Sequence, residues 1–205
     1  MNLKNTIFIL PNLLTAAGLF CGVYAIVRCL APDVTDEAVY RSSLLILYGI
    51  LFDMFDGRVA RMTKTQTSFG IEFDSLADLV TFGVAPAAIA YRWALADTGW
   101  VGVAACVVYV LAGAIRLARF NVLQRAPGKD SAKPGKYMLG LPIPMAAAFI
   151  VALVVATRAA GGWPWLTSHG FTVRGIGYPM LALVMLGLAV LMVSAVRFRS
   201  FKDLK

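Results

Sequence analysis

The chain has 205 residues, 60% of them hydrophobic and 15% charged, with a formal net charge of +8 and a mean hydropathy of +0.75. Soluble domains carry roughly 25% charged and about 45–50% apolar residues, so this composition excludes a water-soluble globule, a disordered chain and a collagen-like fibre. At roughly 20 residues per membrane helix plus loops, the length allows about six spans and leaves no room for a soluble domain.

Six apolar stretches follow in chain order, at about Ile7–Leu30, Ser42–Ala60, Phe73–Leu95, Val101–Phe120, Leu139–Ala156 and Gly177–Val196. The first is too long for a signal peptide, holds Pro11 and Asn12, and is followed by five stretches like it, so it reads as a span. We therefore expect an all-α polytopic membrane protein: six transmembrane helices in one bundle, a single domain over residues 1–205. Cys21, Cys29 and Cys106 form no CxxC pair and read as small buried apolar residues.

Positive charge gives the orientation. With both termini on one side, that side collects Lys4, then Arg58, Arg61 and Lys64 between spans two and three. It also holds Arg116, Arg119, Arg125, Lys129, Lys133 and Lys136 between spans four and five, and Arg197, Arg199, Lys202 and Lys205 at the end. The opposite side keeps Arg28, Arg41, Arg92, Arg158 and Arg174. The richer side is the cytoplasmic one by the positive-inside rule. The net charge thus reads as topology plus attraction to anionic lipid headgroups, and needs no nucleic acid.

The acids are distributed differently. Of eleven, Asp53, Asp56, Glu72, Asp74 and Asp78 fall within 26 positions, at the cytoplasmic ends of spans two and three. Ionisable groups inside apolar spans cost several kcal/mol and mark functional sites. Asp53 and Asp56 are spaced i, i+3 and Asp74 and Asp78 i, i+4, so each pair shares a helix face. If those faces turn towards each other, four carboxylates converge near the headgroup level, where they must be neutralised. Oxygen ligands with no His or Cys nearby suit a hard cation, Mg²⁺ or Mn²⁺, and two pairs could hold two ions. Pairing with Arg58 and Arg61 would leave at least two acids uncompensated. An acid-lined cation channel would thread its carboxylates through the bilayer instead of gathering them at one end. Gly57 beside Asp56 would let a ligand approach the backbone, and Arg61 one turn on offers a fork to phosphate.

These residues spell Asp53-x2-Asp56-Gly57-x2-Ala60-Arg61-x8-Gly70-x3-Asp74-x3-Asp78, eight fixed positions that resemble in full the signature of the CDP-alcohol phosphatidyltransferases. The first span, opening with Pro11-Asn12-Leu13-Leu14-Thr15, agrees, and the resemblance covers essentially the whole chain. It implies transfer of a phosphatidyl or related group from a CDP-linked lipid to an alcohol, with release of CMP. It implies that Asp53, Asp56, Asp74 and Asp78 bind two Mg²⁺ or Mn²⁺ ions and that Asp78 is the general base. It assigns Asn12, Thr15, Gly57, Arg61 and Thr67 to the CDP part, and it suggests a homodimer.

Two further segments point to the acceptor. Residues 114–122, ending span four, and 140–148, opening span five, are similar to those of the serine-accepting members of the family. That favours CDP-diacylglycerol and L-serine as substrates, with Arg116, Arg119 and Asn121 as candidates for the serine carboxylate and lipid phosphate. Choline, glycerol phosphate and inositol phosphate remain alternative acceptors, and a divalent-cation transporter is the rival from another class. A site at the inner headgroup plane of the cell membrane meets lipid and cytoplasmic substrates together.

Overall fold

The computed structural model describes residues 3–31, 35–63, 67–125, 137–159 and 177–199. Helix α1 (Leu3–Leu30) carries Pro11 within it. Helix α2 (Asp36–Thr63) starts with the Thr35 hydroxyl accepting the Ala38 amide at 3.2 Å. Asp36 and Glu37 occupy its first turn, where negative charge complements the helix dipole. A third helical run opens at Thr67, whose hydroxyl accepts the Gly70 amide at 3.0 Å. It continues as α3 (Ser68–Asp78), a π-helical segment (Leu79–Val84), α4 (Ala85–Ala90), a second π-helical segment (Tyr91–Leu95) and a short 3-10 turn (Ala96–Thr98). Pro86 contributes to this irregularity, because it offers no amide to the carbonyl four residues earlier and its ring crowds that turn.

Gly99, at φ 58°, ends the run, and α5 (Trp100–Arg125) follows. The remaining described elements are β1 (Tyr137–Leu139), α6 (Ile143–Ala159), α7 (Gly177–Val193) and β2 (Arg197–Arg199). Among the described residues, four helices are long and apolar enough to cross a membrane: Leu10–Leu30, Asp36–Ala60, Ser68–Thr98 and Trp100–Leu123. Two shorter apolar helices, Ile143–Ala159 and Met180–Val193, accompany them. At 1.5 Å per residue, α6 measures about 25 Å against a hydrocarbon core of about 30 Å.

The helical class expected from sequence holds, with two corrections at span ends. Leu139 was expected inside span five, yet it lies in β1, which pairs antiparallel with β2 in the register Tyr137↔Arg199, Met138↔Phe198 and Leu139↔Arg197. The reason lies in the turn that follows. Gly140 has φ 72°, its amide donates to the Val196 carbonyl at 3.0 Å, and the Leu141 amide donates to the Leu191 carbonyl at 3.0 Å. A side chain at Gly140 would run into the Met192 carbonyl. The helix begins only after Pro142, whose carbonyl accepts the Met145 and Ala146 amides. Span six likewise ends at Val193, before Val196.

The interior is built from small residues and a few large ones. Ala25, Ile46, Phe82, Tyr109, Ile143, Ile150 and Met185 are fully buried, whereas Phe20, Leu183 and Val190 stay about two-thirds exposed. Such an outward apolar surface suits lipid as the solvent. Glycines let backbones meet: a Cβ on Gly22 would sit 2.7 Å from Thr81 Cα, and one on Gly49 would sit 2.8 Å from Thr81 Cγ2. Glu37 ties the start of α2 to the end of α6, accepting from Arg41 at 2.8 Å and Arg158 at 3.3 Å.

Candidate active site

The site forms where the C-terminal half of α2 meets the first turns of α3. Asp53 and Asp56 project from α2 and Asp74 from α3, and one carboxylate oxygen from each lies within 4.8 Å of the others. Asp56 is buried, at 5% exposure, while Asp53 and Asp74 are half-buried. Among the described residues, none of the three carboxylates is in an ion pair. Three oxygen donors at this separation, partly withdrawn from water and in no ion pair among the described residues, fit a hard divalent cation. They would repel one another without one.

Helix α1 closes the group from the side. The Thr15 hydroxyl is 2.8 Å from Asp56 Oδ2 and 3.1 Å from the Pro11 carbonyl. It has one hydrogen to give, and the charged acceptor forms the stronger bond, so Thr15 aims Asp56. An open cleft runs beside the carboxylates, lined by Pro11, Asn12, Thr15, Asp56, Gly57, Ala60, Thr67, Gly70, Ile71 and Asp74. Gly70 keeps it open: a Cβ there would lie 3.1 Å from Thr67 Oγ1 and 3.2 Å from Asn12 Oδ1. Asn12, Thr15, Gly57 and Thr67, named from sequence, thus share one wall system. Arg61 lies on α2 four residues beyond Gly57, and its side chain falls outside the described residues.

Asp78 is not part of the close group of three. It lies one helical turn beyond Asp74, half-buried, close enough to feel repulsion from Asp53, Asp74 and Asp56 and attraction from Arg116. The Arg116 Nε is buried with no hydrogen-bond partner. A guanidinium held near the acids with an unused donor can receive an anion. Asn121 instead donates to Ser75 Oγ at 3.0 Å, joining the end of α5 to the residue after Asp74. Arg119 is exposed on α5 and does not line the cleft.

A family model for CDP-alcohol phosphatidyltransferase matches residues 8–193. The chain belongs to the CDP-alcohol phosphatidyltransferase family. Curated relatives agree. A CDP-diacylglycerol–serine O-phosphatidyltransferase of Helicobacter pylori is 36% identical over 201 residues, covering 98% of this chain and 76% of that protein. The enzyme of the same name from Bacillus subtilis is 34% identical over 193 residues, covering 94% and 91%. The one from Saccharomyces cerevisiae is 43% identical over 142 residues, covering 68% and 51%. The CDP-alcohol phosphatidyltransferases are metal-dependent transferases, and the Asp53, Asp56 and Asp74 group could bind a metal ion.

Sequence reading did not find the Thr15–Asp56 bond, which joins residues 41 positions apart, nor the Ser75–Asn121 bond, which joins residues 46 apart. The signal available was chemical: a threonine in an apolar helix needs an acceptor. Thr15→Val should weaken Mn²⁺ binding by about tenfold or more, as loss of a ligand's supporting hydrogen bond does elsewhere, while Thr15→Ser stays near wild type. Titration followed by Mn²⁺ electron paramagnetic resonance measures both. Equal affinities for the two variants would show that the hydroxyl does not orient Asp56.

Proposed function

We propose that this member of the CDP-alcohol phosphatidyltransferase family transfers the phosphatidyl group of CDP-diacylglycerol to the hydroxyl of L-serine, giving phosphatidylserine and CMP. The observation that carries this reading is the convergence of Asp53, Asp56 and Asp74 beside a cleft walled by Asn12, Thr15, Gly57 and Thr67. The serine-transferring relatives support the choice of acceptor.

Asp53, Asp56, Asp74 and Asp78 would hold two Mg²⁺ or Mn²⁺ ions, which when bound neutralise the pyrophosphate and the charge on departing CMP. The chain's own residues do the rest. Asn12, Thr15, Gly57, Arg61 and Thr67 hold the CDP portion along the cleft. Asp78 accepts the proton of the serine hydroxyl as that oxygen attacks the β-phosphorus. The new P–O bond forms as the phosphoanhydride P–O bond to CMP breaks, and the electron pair leaves with CMP. Arg116, with an unused Nε and Asp78 nearby, holds the serine carboxylate and brings the hydroxyl to its base. Arg119 and Asn121 complete the same end of α5.

The wider setting belongs to this proposal too. Residues 1–205 form one domain of six spans, with α6 and α7 as the shorter two, in the inner membrane of the cell. Both termini and the site face the cytoplasm, anionic lipids surround the basic ends, and the protein pairs as a homodimer. Labelled CDP-diacylglycerol in detergent with Mn²⁺ and a panel of alcohols tests the reaction. CMP should appear with serine and not with choline, glycerol phosphate or inositol phosphate. Release with another alcohol alone would move the acceptor. No release with any of them, together with Mn²⁺ flux in liposomes, would replace the enzyme by a transporter.

A further inference from the structure

The π-helical segment Leu79–Val84 begins at the residue after Asp78 and is held by two buried hydroxyls from outside the metal-ligand set. Pro86 has no amide to donate to the Phe82 carbonyl four residues earlier. The Tyr109 hydroxyl, from α5, donates to that carbonyl at 3.0 Å, and Tyr109 is wholly buried. A carbonyl left without a donor in an apolar bundle is strongly unfavourable, so this bond stabilises the broken turn where it stands. The wider turn is present in the backbone bonding itself, since the Ala85 amide donates to the carbonyl of Val80, five residues back.

The second hydroxyl sits in the middle of the segment. Thr81 Oγ1 donates across to the Gly18 carbonyl of α1 at 3.3 Å, with Thr81 itself only 2% exposed. Thr81 occupies a slot whose walls are Gly22 on α1 and Gly49 on α2, both too close to it to accept a Cβ without movement. Gly49 stands four residues before Asp53, one turn along α2, and Gly18 stands three after Thr15. The Thr81–Gly18 bond and Gly49 therefore lie one turn inward from Thr15, Asp78 and Asp53 on their three helices, and Gly22 one turn deeper on α1.

We infer that Tyr109 and Thr81 are positioning residues for the acidic site: their hydroxyls lock the π-helical segment, and with it the angle and depth at which α3 presents Asp74 and Asp78 to α2. The physical reason is helical phase. An α-helix turns about 100° per residue, so letting a π-segment relax by one residue rotates everything on one side of it relative to the other by that order. Because α4 and the rest of that run are packed in the core, the end that gives is α3, which begins at the membrane surface and carries the acids. A displacement near 1 Å at a reacting group can cost about a hundredfold in rate.

The inference rests on the proposed metal site but not on the choice of acceptor, and its test separates the two. Tyr109→Phe removes one hydroxyl and leaves the ring; Thr81→Val removes the other at nearly constant volume, and Thr81→Ser keeps it. Each purified variant is titrated with Mn²⁺ by electron paramagnetic resonance without lipid, and kcat and KM for CMP release are then measured. Tyr109→Phe and Thr81→Val should each weaken Mn²⁺ binding by about tenfold or more and lower kcat similarly, with Thr81→Ser restored towards wild type. The folded fraction, followed by size exclusion and thermal melting, should stay high enough for affinity per folded molecule to be compared. Should Tyr109→Phe not fold, the Val and Ser variants at Thr81 decide. Wild-type Mn²⁺ affinity in Tyr109→Phe, or equal affinities in Thr81→Val and Thr81→Ser, would overturn the inference. Absence of CMP release by the wild type, with the metal-affinity pattern intact, would sink the proposed reaction and leave the positioning role standing.

Discussion

Asp78→Asn is expected to bind CDP-diacylglycerol within a few-fold of wild type and to lose turnover by about a thousandfold, within the range that positioned acid–base groups contribute. The side chain keeps its size, so the fold about α3 has no reason to change. What it loses is the capacity to take a proton, together with one of the four carboxylates proposed to hold the ions. Asp78 lies outside the close group formed by Asp53, Asp56 and Asp74, so those three retain their oxygens for a cation. The neighbouring Arg116 loses its attraction to a charge at residue 78. Equilibrium binding of labelled CDP-lipid and single-turnover CMP release separate the two effects. Full activity in Asp78→Asn would remove this residue from the role of base.

Asp56→Asn should have the larger effect on the metal. Asp56 is the most buried of the three converging carboxylates and the one that Thr15 orients. Replacing a carboxylate oxygen by an amide removes charge from a site whose affinity for a hard dication depends on it. Mn²⁺ binding should fall beyond about a hundredfold, the upper end of what losing a ligand's hydrogen-bonded neighbour alone costs. CMP release should disappear with it, and added Mn²⁺ should not recover more than a small part. The same titration applied to Asp53→Asn and Asp74→Asn ranks the three. Unchanged Mn²⁺ affinity in Asp56→Asn would dissociate the cluster from metal binding.

The identity of the acids was legible because chemistry and spacing pointed the same way. Asp53 and Asp56, three apart, had to share a helix face, and an aspartate in an apolar span is too costly to be incidental. The strand pair was not legible. Leu139–Pro142 is apolar enough to extend a span, and only the positive φ of Gly140 and its bond to Val196 turn it into a connection. The π-helical segment was not legible either: span three read as one continuous apolar stretch, and although Pro86 removes an amide from Phe82, nothing local names the donor that replaces it. Tyr109 is 27 residues away on another helix.

The sequence by itself determined the container and the place of its unusual acids: an apolar, basic chain that must satisfy its backbone internally, with five of its eleven acids gathered within 26 positions. Those properties depend on composition and on helical periodicity, which are local. Only the tertiary structure decided which three carboxylates meet, that Thr15 reaches across to Asp56, and that Tyr109 and Thr81 fasten the turn beneath Asp78. Those depend on the rotation and depth of each helix against its neighbours. Glycine contacts, a missing proline amide and single hydroxyl bonds set that rotation, and hydrophobic periodicity carries no record of it.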